Sequence, residues 1–380
     1  MSLDLSKAED VQNYLQATSF ASTSVVPLSG GNANFTFRLH LCAPYERRMT
    51  VVLKHAKSYA AFSKSFKFAV ERQDYETEAL KRVKDFLPVD SIVTVPVVHL
   101  YDKETNVIIM DDCGADSLTL KQLMLVNTPN EELARTIGKA VGEFLACIHI
   151  KGCADLDFLK FFDRNQEGKK LSAWVTYGRL VETLTNVSRS RNGTALIDPP
   201  LSIPNDDILT IEQLSTTTTE HIVAANSAFV MGDFWPGNII ISIKKSEDTT
   251  GMTTIERIFV VDWEVAKTGV LGLDIGQFAA EMHQMREFYP DTKKSADTLL
   301  QAFLAAYSNS REVDRATAQT AAVHVGAHLV AWTPRTGWSP MERTRDVVLQ
   351  GVEYLLKGWE GNEEWLKESA IGGLMSETRQ

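Results

Sequence analysis

Met231-Gly-Asp-Phe-Trp-Pro-Gly-Asn238, followed after one hairpin's length of chain by Val261-Asp-Trp-Glu264, is the stretch on which the reading of this chain turns. It sets Asp233 and Asn238 in D-x-x-x-x-N spacing and then puts a second aspartate, Asp262, at the end of an apolar strand. Phosphoryl transfer needs that inventory: a carboxylate to orient an attacking hydroxyl, and hard oxygen ligands for Mg²⁺. Ile239-Ile-Ile-Ser-Ile243 and Ile258-Phe-Val-Val261 flank the polar stretch Lys244 to Gly251 and read as a hairpin. Such a hairpin would bring Asn238, at the start of one strand, beside Asp262, at the end of the other. Asp, Pro, Gly and Asn are also ordinary turn residues, so the spacing alone does not separate a metal site from a plain Asx turn.

Working outward, Lys54 closes the apolar strand Met49-Thr-Val-Val-Leu-Lys54, where an ammonium at the strand's mouth can reach the α- and β-phosphates of a nucleotide. A helical acid should steady it, and Glu76 and Glu78 are both placed to do so, with Glu76 preferred. Leu28-Ser-Gly-Gly-Asn-Ala-Asn34 precedes a strand and contains Gly30, Gly31, Asn32 and Asn34. A glycine-rich turn there would cover phosphates through backbone N–H groups, although the G-x-G-x-x-G pattern is incomplete. The order is what gives these separate signals weight: glycine loop, strand lysine, helix glutamate, D-x-x-x-x-N, hairpin, strand-end aspartate. His149, in Leu-Ala-Cys-Ile-His149, reads as a structural histidine bonded to nearby backbone. Trp235, Trp332 and Trp338 are candidate pocket walls, and a cation would suit their faces.

A chain of 380 residues exceeds what one hydrophobic core usually serves, so two domains are expected. The first third reads as strands with one helix: Phe35 to Leu41, Met49 to Lys54, Val93 to Leu100 and Val107 to Met110, with the helix over Phe68 to Phe86. After Asp112-Cys-Gly114 the pattern turns to amphipathic helices over 131–150, 171–185, 275–288, 296–307 and 315–332. The boundary is placed at Asp111 to Ser117, giving a nucleotide-binding lobe over 1–112 and a catalytic and substrate-binding lobe over 113–380. Ser188 to Asn205 is expected to be a surface loop, and Thr216 to Thr219 a second polar patch.

A net charge of −10 disfavours a nucleic-acid backbone or an anionic membrane as the main partner. Cys42, Cys113, Cys147 and Cys153 have no C-x-x-C pairing, so neither a disulfide framework nor a zinc site is expected. Residues 1–20 lack the continuous apolar stretch of a secretory signal, and no run approaches the roughly 20 apolar residues of a membrane span. The expectation is a cytoplasmic protein.

The chain resembles the aminoglycoside phosphotransferase and choline kinase-like superfamily. The likeness is carried by Leu28-Ser-Gly-Gly-x-x-Asn34, Leu53-Lys54, Tyr75-Glu76, Gly142-x-x-x-Ala-x-x-His149, Gly232-Asp-x-x-Pro-Gly-Asn238 and Asp262-Trp-Glu264. A nearer likeness, to fungal 4-hydroxytryptamine kinases and methylthioribose kinase-like enzymes, runs through Leu41-x-Ala-Pro-Tyr45, Leu53-Lys-His-Ala56, Val70-Glu-Arg72, Phe229-Val-Met-x-Asp233 and Ala327-His-x-Val-x-Trp-Thr333. The resemblance implies an α+β, bilobal protein-kinase-like fold with a small β-rich N-lobe and a larger helical C-lobe. It implies ATP and Mg²⁺ as cofactors and a small-molecule hydroxyl as acceptor. Asp233 would be the catalytic aspartate, Asn238 and Asp262 would hold Mg²⁺ with Glu264 beside them, and Lys54 with Glu76 would position phosphates. Met110, Asp111, Asp112 and Cys113 would form the hinge against which adenine lies.

Many superfamily members carry a histidine before Gly-Asp and a His-Pro inside the loop, where this chain has Met231 and Trp235-Pro236. That departure removes no metal ligand but marks a subfamily with its own acceptor. An amine-bearing aromatic such as a hydroxytryptamine leads. Methylthioribose or an aminoglycoside-type sugar is the alternative, and Glu264 or Glu281 is a candidate to attract an acceptor's ammonium. Two rivals stand beside this reading. A protein kinase is weakened by the lack of His-Arg-Asp, Asp-Phe-Gly and Ala-Pro-Glu, and a nucleotide-binding pseudoenzyme by the presence together of Lys54, Asp233, Asn238 and Asp262.

Overall fold

Alternation of apolar and polar residues through Phe35-Thr-Phe-Arg-Leu-His-Leu41 sends Phe37, Leu39 and Leu41 to one face, and all three are buried. A computed structural model describes residues 3–28, 31, 33–185, 193–245 and 253–375. By its contacts the chain forms two units, the first made of residues 1–85, 94–117 and 242–264, the second of 86–93, 118–241 and 265–380. The first unit is thus assembled from three separated stretches, the last of which returns to it more than a hundred residues after the Asp111 to Ser117 crossing.

In the first unit β1 (Ser22–Pro27), β2 (Phe35–Tyr45), β3 (Arg48–His55), β4 (Val98–Asp102) and β5 (Val107–Asp111) form an antiparallel sheet in the order β1-β2-β3-β5-β4. Val51, Leu53, Val107 and Ile109 join Phe37, Leu39 and Leu41 in a core closed by Val11 and Leu15 of helix α1 (Ala8–Leu15). Lys54 pairs with Thr36 and Ile108 and, by the two-residue period, falls on the face opposite Leu53. Helix α2 (Arg72–Phe86) bonds to that strand through Gln73, whose Nε2 donates to the Lys54 carbonyl at 3.2 Å. The strand expected over Val93 to Leu100 is split: Val93–Thr94 and Val98–Asp102 are strands, and Pro96, which has no N–H to donate, lies between them.

The expected hairpin forms from Ile239–Lys245 and Thr253–Val260, which are neighbouring strands, with Ser242 Oγ 3.1 Å from Glu256 Oε2.

The second unit is helical. Helix α3 (Leu120–Val126) is followed by α4 (Glu131–Ala154), which packs along α7 (Lys293–Ser310); α6 (Gly272–Phe288) packs on α8 (Arg315–Trp332), and α8 on α9 (Arg343–Glu360). Three expectations are corrected here. Thr216 to Thr219 lie inside a helix, α5 (Asn205–Ala224), whose buried stripe is Ile211, Leu214, Thr218 and Ile222. Thr216 Oγ1 donates to the Glu212 carbonyl one turn back, so its hydroxyl is satisfied without leaving the helix. The helix expected over 171–185 is Gln166–Thr176 and Leu180–Thr185, separated by a 3₁₀ turn at Tyr177–Arg179 that holds Gly178. Within the expected loop Ser188 to Asn205, residues 188–192 lie outside the described residues, and Thr194–Ile197 is a helical turn that buries Leu196. Among the described residues no helix is long and apolar enough to cross a membrane.

Candidate active site

Each unit carries its own cluster of polar groups. In the first, Lys54 Nζ lies 2.8 Å from Glu76 Oε1 and 2.5 Å from Asp262 Oδ1. The lysine is buried. Burial opposes its charge, but the Asp262 and Glu76 carboxylates outweigh it and hold the ammonium's pKa above the ordinary lysine value. Glu76, not Glu78, is the helical partner; Glu78 is half-exposed and faces Arg82 one turn on at 3.9 Å. Asp262 has φ 67°, in the left-handed region that Asp tolerates better than most residues. That conformation ends the strand sharply. The next residue, Trp263, is fully buried, its Nε1 bonded to the Val260 carbonyl at 3.0 Å.

Glu264 is the second acid of this cluster. Arg72 Nε at 3.1 Å and Asn34 Nδ2 at 2.6 Å both donate to its Oε2. Arg72 also bonds Asn34 Oδ1 and the carbonyls of Ala33, Lys57, Phe68 and Ala69, so a buried guanidinium ties the segment before β2 to α2. Burial first, and the Asp262 carboxylate second, push the Glu264 carboxyl up to about 7. Asn34, expected in a phosphate-covering loop, therefore has its side chain committed to Arg72 and Glu264. Gly31 is described, while Gly30 and Asn32 lie outside the described residues.

The hinge residues split by atom. Asp111 accepts from Arg48 Nε at 2.7 Å, faces His99 Nε2 at 2.9 Å and accepts the Val97 N–H at 3.0 Å, and Asp112 takes a two-pronged bond from Arg38 at 2.6 and 2.9 Å. Both carboxylates are thus used within the unit. Met110 is buried at the end of β5, and burial pushes the Cys113 thiol up.

A metal requires clustered oxygen donors. Glu76, Asp262 and Glu264 each offer one within 4.8 Å of the others, which fits a hard divalent cation.

In the second unit the loop 231–238 is held from behind. Asp274, fully buried on α6, accepts the Met231 N–H on Oδ2 and the Gly232 N–H on Oδ1, both at 2.8 Å. Behind it, His149 Nε2 lies 3.2 Å from Asp274 Oδ2, and His149 Nδ1 lies 2.8 Å from the Tyr307 hydroxyl. His149 is structural, but its partners are these two side chains. Burial lowers the imidazole's pKa and favours the neutral ring, which donates to Asp274 from Nε2 and accepts from Tyr307 at Nδ1. Gly232 has φ 82°, and a Cβ there would come within 2.0 Å of Lys267 Nζ, so only glycine fits.

That scaffold presents Asp233. Gln277 Nε2 donates to its Oδ1 at 2.8 Å, and Asn238 Nδ2 donates to its Oδ2 at 2.9 Å and to its carbonyl at 3.0 Å. Both Asn238 bonds use the amide nitrogen, so its Oδ1 is the atom a cation would take. Lys267 is fully buried, and burial lowers its pKa to about 8 against the pull of Asp274 and Asp233.

Asp274, Gln277 and Lys267 were not identified from the sequence, and Arg72 was read only as part of Val70-Glu-Arg72, with no role. Asp274 and Lys267 carry a faint signal, each being a lone charge in an apolar stretch, Val270-Leu-Gly-Leu-Asp-Ile275 and Val265-Ala-Lys267. Gln277 carries none. Glu281 is paired with Lys121 at 3.1 Å and His328 at 3.0 Å, and Trp332 donates from Nε1 to Thr176 Oγ1 at 3.2 Å.

No protein-family model matches the chain. It is 32% identical over 374 residues to the 4-hydroxytryptamine kinase of Psilocybe cyanescens, covering 95% of this chain and 96% of that one. It is 28% identical over 361 residues to the 4-hydroxytryptamine kinase of Psilocybe cubensis, covering 93% of each. Among solved structures, choline kinase from Cryptosporidium parvum Iowa II aligns with a TM-score of 0.52 at 13% identity, over 96% of this chain and 97% of that one, a likeness of fold. An antiparallel sheet unit, a helical unit and relatives of this kind define a small-molecule kinase, a phosphotransferase acting on a hydroxyl acceptor. The chain belongs to the aminoglycoside phosphotransferase and choline kinase-like superfamily.

Proposed function

We propose that this kinase transfers the γ-phosphoryl group of Mg·ATP to the hydroxyl of an amine-bearing aromatic metabolite of the hydroxytryptamine type. The observation that carries the reaction is Asp233, whose carboxylate is fixed at both oxygens by Gln277 and Asn238 on a loop whose backbone is fixed by Asp274. A carboxylate so held is preorganised to accept a hydrogen bond from the acceptor hydroxyl and to take its proton late in the transfer. The hydroxyl oxygen forms the new bond to γ-phosphorus, the bond to the β,γ-bridging oxygen breaks, and ADP leaves. Lys54, steadied by Glu76, supports charge on the α- and β-phosphates. Asn238 Oδ1, Asp262 and Glu264 are assigned as oxygen ligands of Mg²⁺, which when bound neutralises charge on the transferring group. Because the transition state is loose, alignment and charge neutralisation contribute more than proton abstraction. Backbone of Met110 to Cys113 is assigned to the adenine, since the side chains of Asp111 and Asp112 are already engaged.

The acceptor class rests on the names of the two fungal relatives and on their coverage of nearly the whole chain. ADP release with 4-hydroxytryptamine, with Asp233→Ala as control, tests it. The expected outcome is turnover that falls by roughly a thousandfold in the variant while nucleotide binding is retained. Nucleotide binding with no phosphorylation of any hydroxylated amine would sink the acceptor assignment.

A further inference from the structure

Lys121 is the second residue of α3, and its ammonium is enclosed on three sides within the helical unit. Nζ stands 3.8 Å from the centre of the Trp338 ring, 5.2 Å from that of Trp235, and 3.1 Å from Glu281 Oε2. A cation in the first turn of a helix opposes the peptide dipoles, so its own helix does not explain this position. The two indole faces and the carboxylate do.

Each wall of this box is fixed without the lysine. Trp338 stacks on Phe288 with ring centres 5.4 Å apart. The Trp235 ring lies flat against Gly237, where a Cβ would come within 2.2 Å of it, so the glycine of Pro-Gly-Asn makes room for the indole. Glu281 is buried, and its other oxygen faces His328 Nε2 at 3.0 Å, so it stays oriented when the lysine leaves. Burial opposes its charge, but Lys121 and His328 bring its carboxyl down to about 2, so a cation in the box keeps it an anion. Lys121 itself keeps 24% of its side chain exposed and has a route to solvent. Trp235 belongs to the same loop as Asp233, two residues on.

We propose that the Lys121 ammonium is an internal stand-in for a protonated amine on the acceptor, which takes its place between Trp235, Trp338 and Glu281 as the lysine arm moves out to solvent. This rests on the acceptor reading given under Proposed function, and it makes Lys121 a specificity-determining residue that works by self-competition. A tethered ammonium lowers the fraction of molecules open to an amine and raises the apparent KM by the inverse of that fraction, about tenfold if the box is self-filled nine-tenths of the time. A neutral acceptor, which cannot use the box, is unaffected.

Two measurements test it, with 4-hydroxytryptamine and its uncharged counterpart 4-hydroxyindole as probes. In Lys121→Met the KM for the amine falls up to about tenfold while that for 4-hydroxyindole stays within twofold; an amine KM that is unchanged or higher overturns the proposal. In the unaltered protein, acetylation of Lys121 relative to the exposed Lys139 is followed by peptide mass spectrometry. A rise of at least about threefold with saturating amine, and none with 4-hydroxyindole, supports displacement. A ratio that stays constant at saturating amine overturns it, whether or not the amine is phosphorylated. A ratio that rises without phosphorylation supports the box and overturns only the acceptor assignment.

Discussion

Glu264 shows at the residue scale how a buried acid can be bonded and still be costly to ionise. Both donors, Arg72 Nε and Asn34 Nδ2, converge on one oxygen, Oε2. A glutamine carbonyl at that point would accept both bonds, whereas the charge adds repulsion from Asp262 at a buried position. The sign follows from the pKa. Burial and Asp262 raise Glu264 in the folded state from an ordinary 4.5 to about 7, so the folded protein binds its proton more tightly than the unfolded chain does. The associated stability is complete below about pH 4.5 and is lost as pH rises through about 7. In protein stripped of divalent metal with chelator, denaturant unfolding should show this group weakening the fold by on the order of 2 kcal/mol between pH 5 and pH 8, with Glu264→Gln removing most of that slope. A slope that is equally steep in the variant would show that another group carries it. Residues such as Lys54 and Asp233 are legible in sequence because each stands in a short local pattern. Asp274, Gln277 and Lys121 are not, because their partners Met231, Asp233 and Glu281 lie 43, 44 and 160 residues away.

Among the elements, α6 positions the loop that presents Asp233. Its N-terminal turn delivers Asp274, which satisfies two consecutive backbone N–H groups and His149 at once, all away from water. Asparagine in its place has one accepting oxygen, so Asp274→Asn leaves one of the two loop N–H groups facing an amide donor in a buried site. An unsatisfied buried donor costs about 1–3 kcal/mol, and loss of the charge-assisted bonds adds to it. The expected outcome is a loss of about 2–4 kcal/mol of stability in denaturant unfolding, together with a fall in kcat larger than any change in nucleotide KM. Stability and kcat both within error of the parent would remove Asp274 from the scaffold. Elements with a clean period were readable: the strand at 35–41 is found over 35–45, and the helix at 315–332 over Arg315–Trp332. The helix Asn205–Ala224 was not, because Thr218 occupies a core position and the run Thr216 to Thr219 mimics a loop when a bond such as that of the Thr216 hydroxyl to the preceding turn is unseen.

For the whole molecule, the change from strand to helix periodicity was legible, but the return of residues 242–264 to the first unit was not, since periodicity says nothing about which sheet or core a strand joins. That return has a thermodynamic consequence. Residues 1–117 alone would lack Asp262 against Lys54 and Glu264 against Arg72, leaving two buried cations short of a carboxylate. They would also lack the segment that carries Ile258, Val260 and Trp263, all fully buried. Removing one partner of a buried ion pair costs about 3–5 kcal/mol, comparable to the entire stability of a marginal domain. Residues 1–117 expressed alone should therefore show no cooperative unfolding transition by circular dichroism. Joining residues 242–264 to them through a short Gly-Ser linker should restore one, and Arg72→Met in residues 1–117 alone should do so less well, because it relieves the guanidinium that lost Glu264 without supplying the returning segment. Cooperative unfolding of residues 1–117 alone, at the same midpoint as the joined chain, would mean that the returning segment docks on a unit already complete.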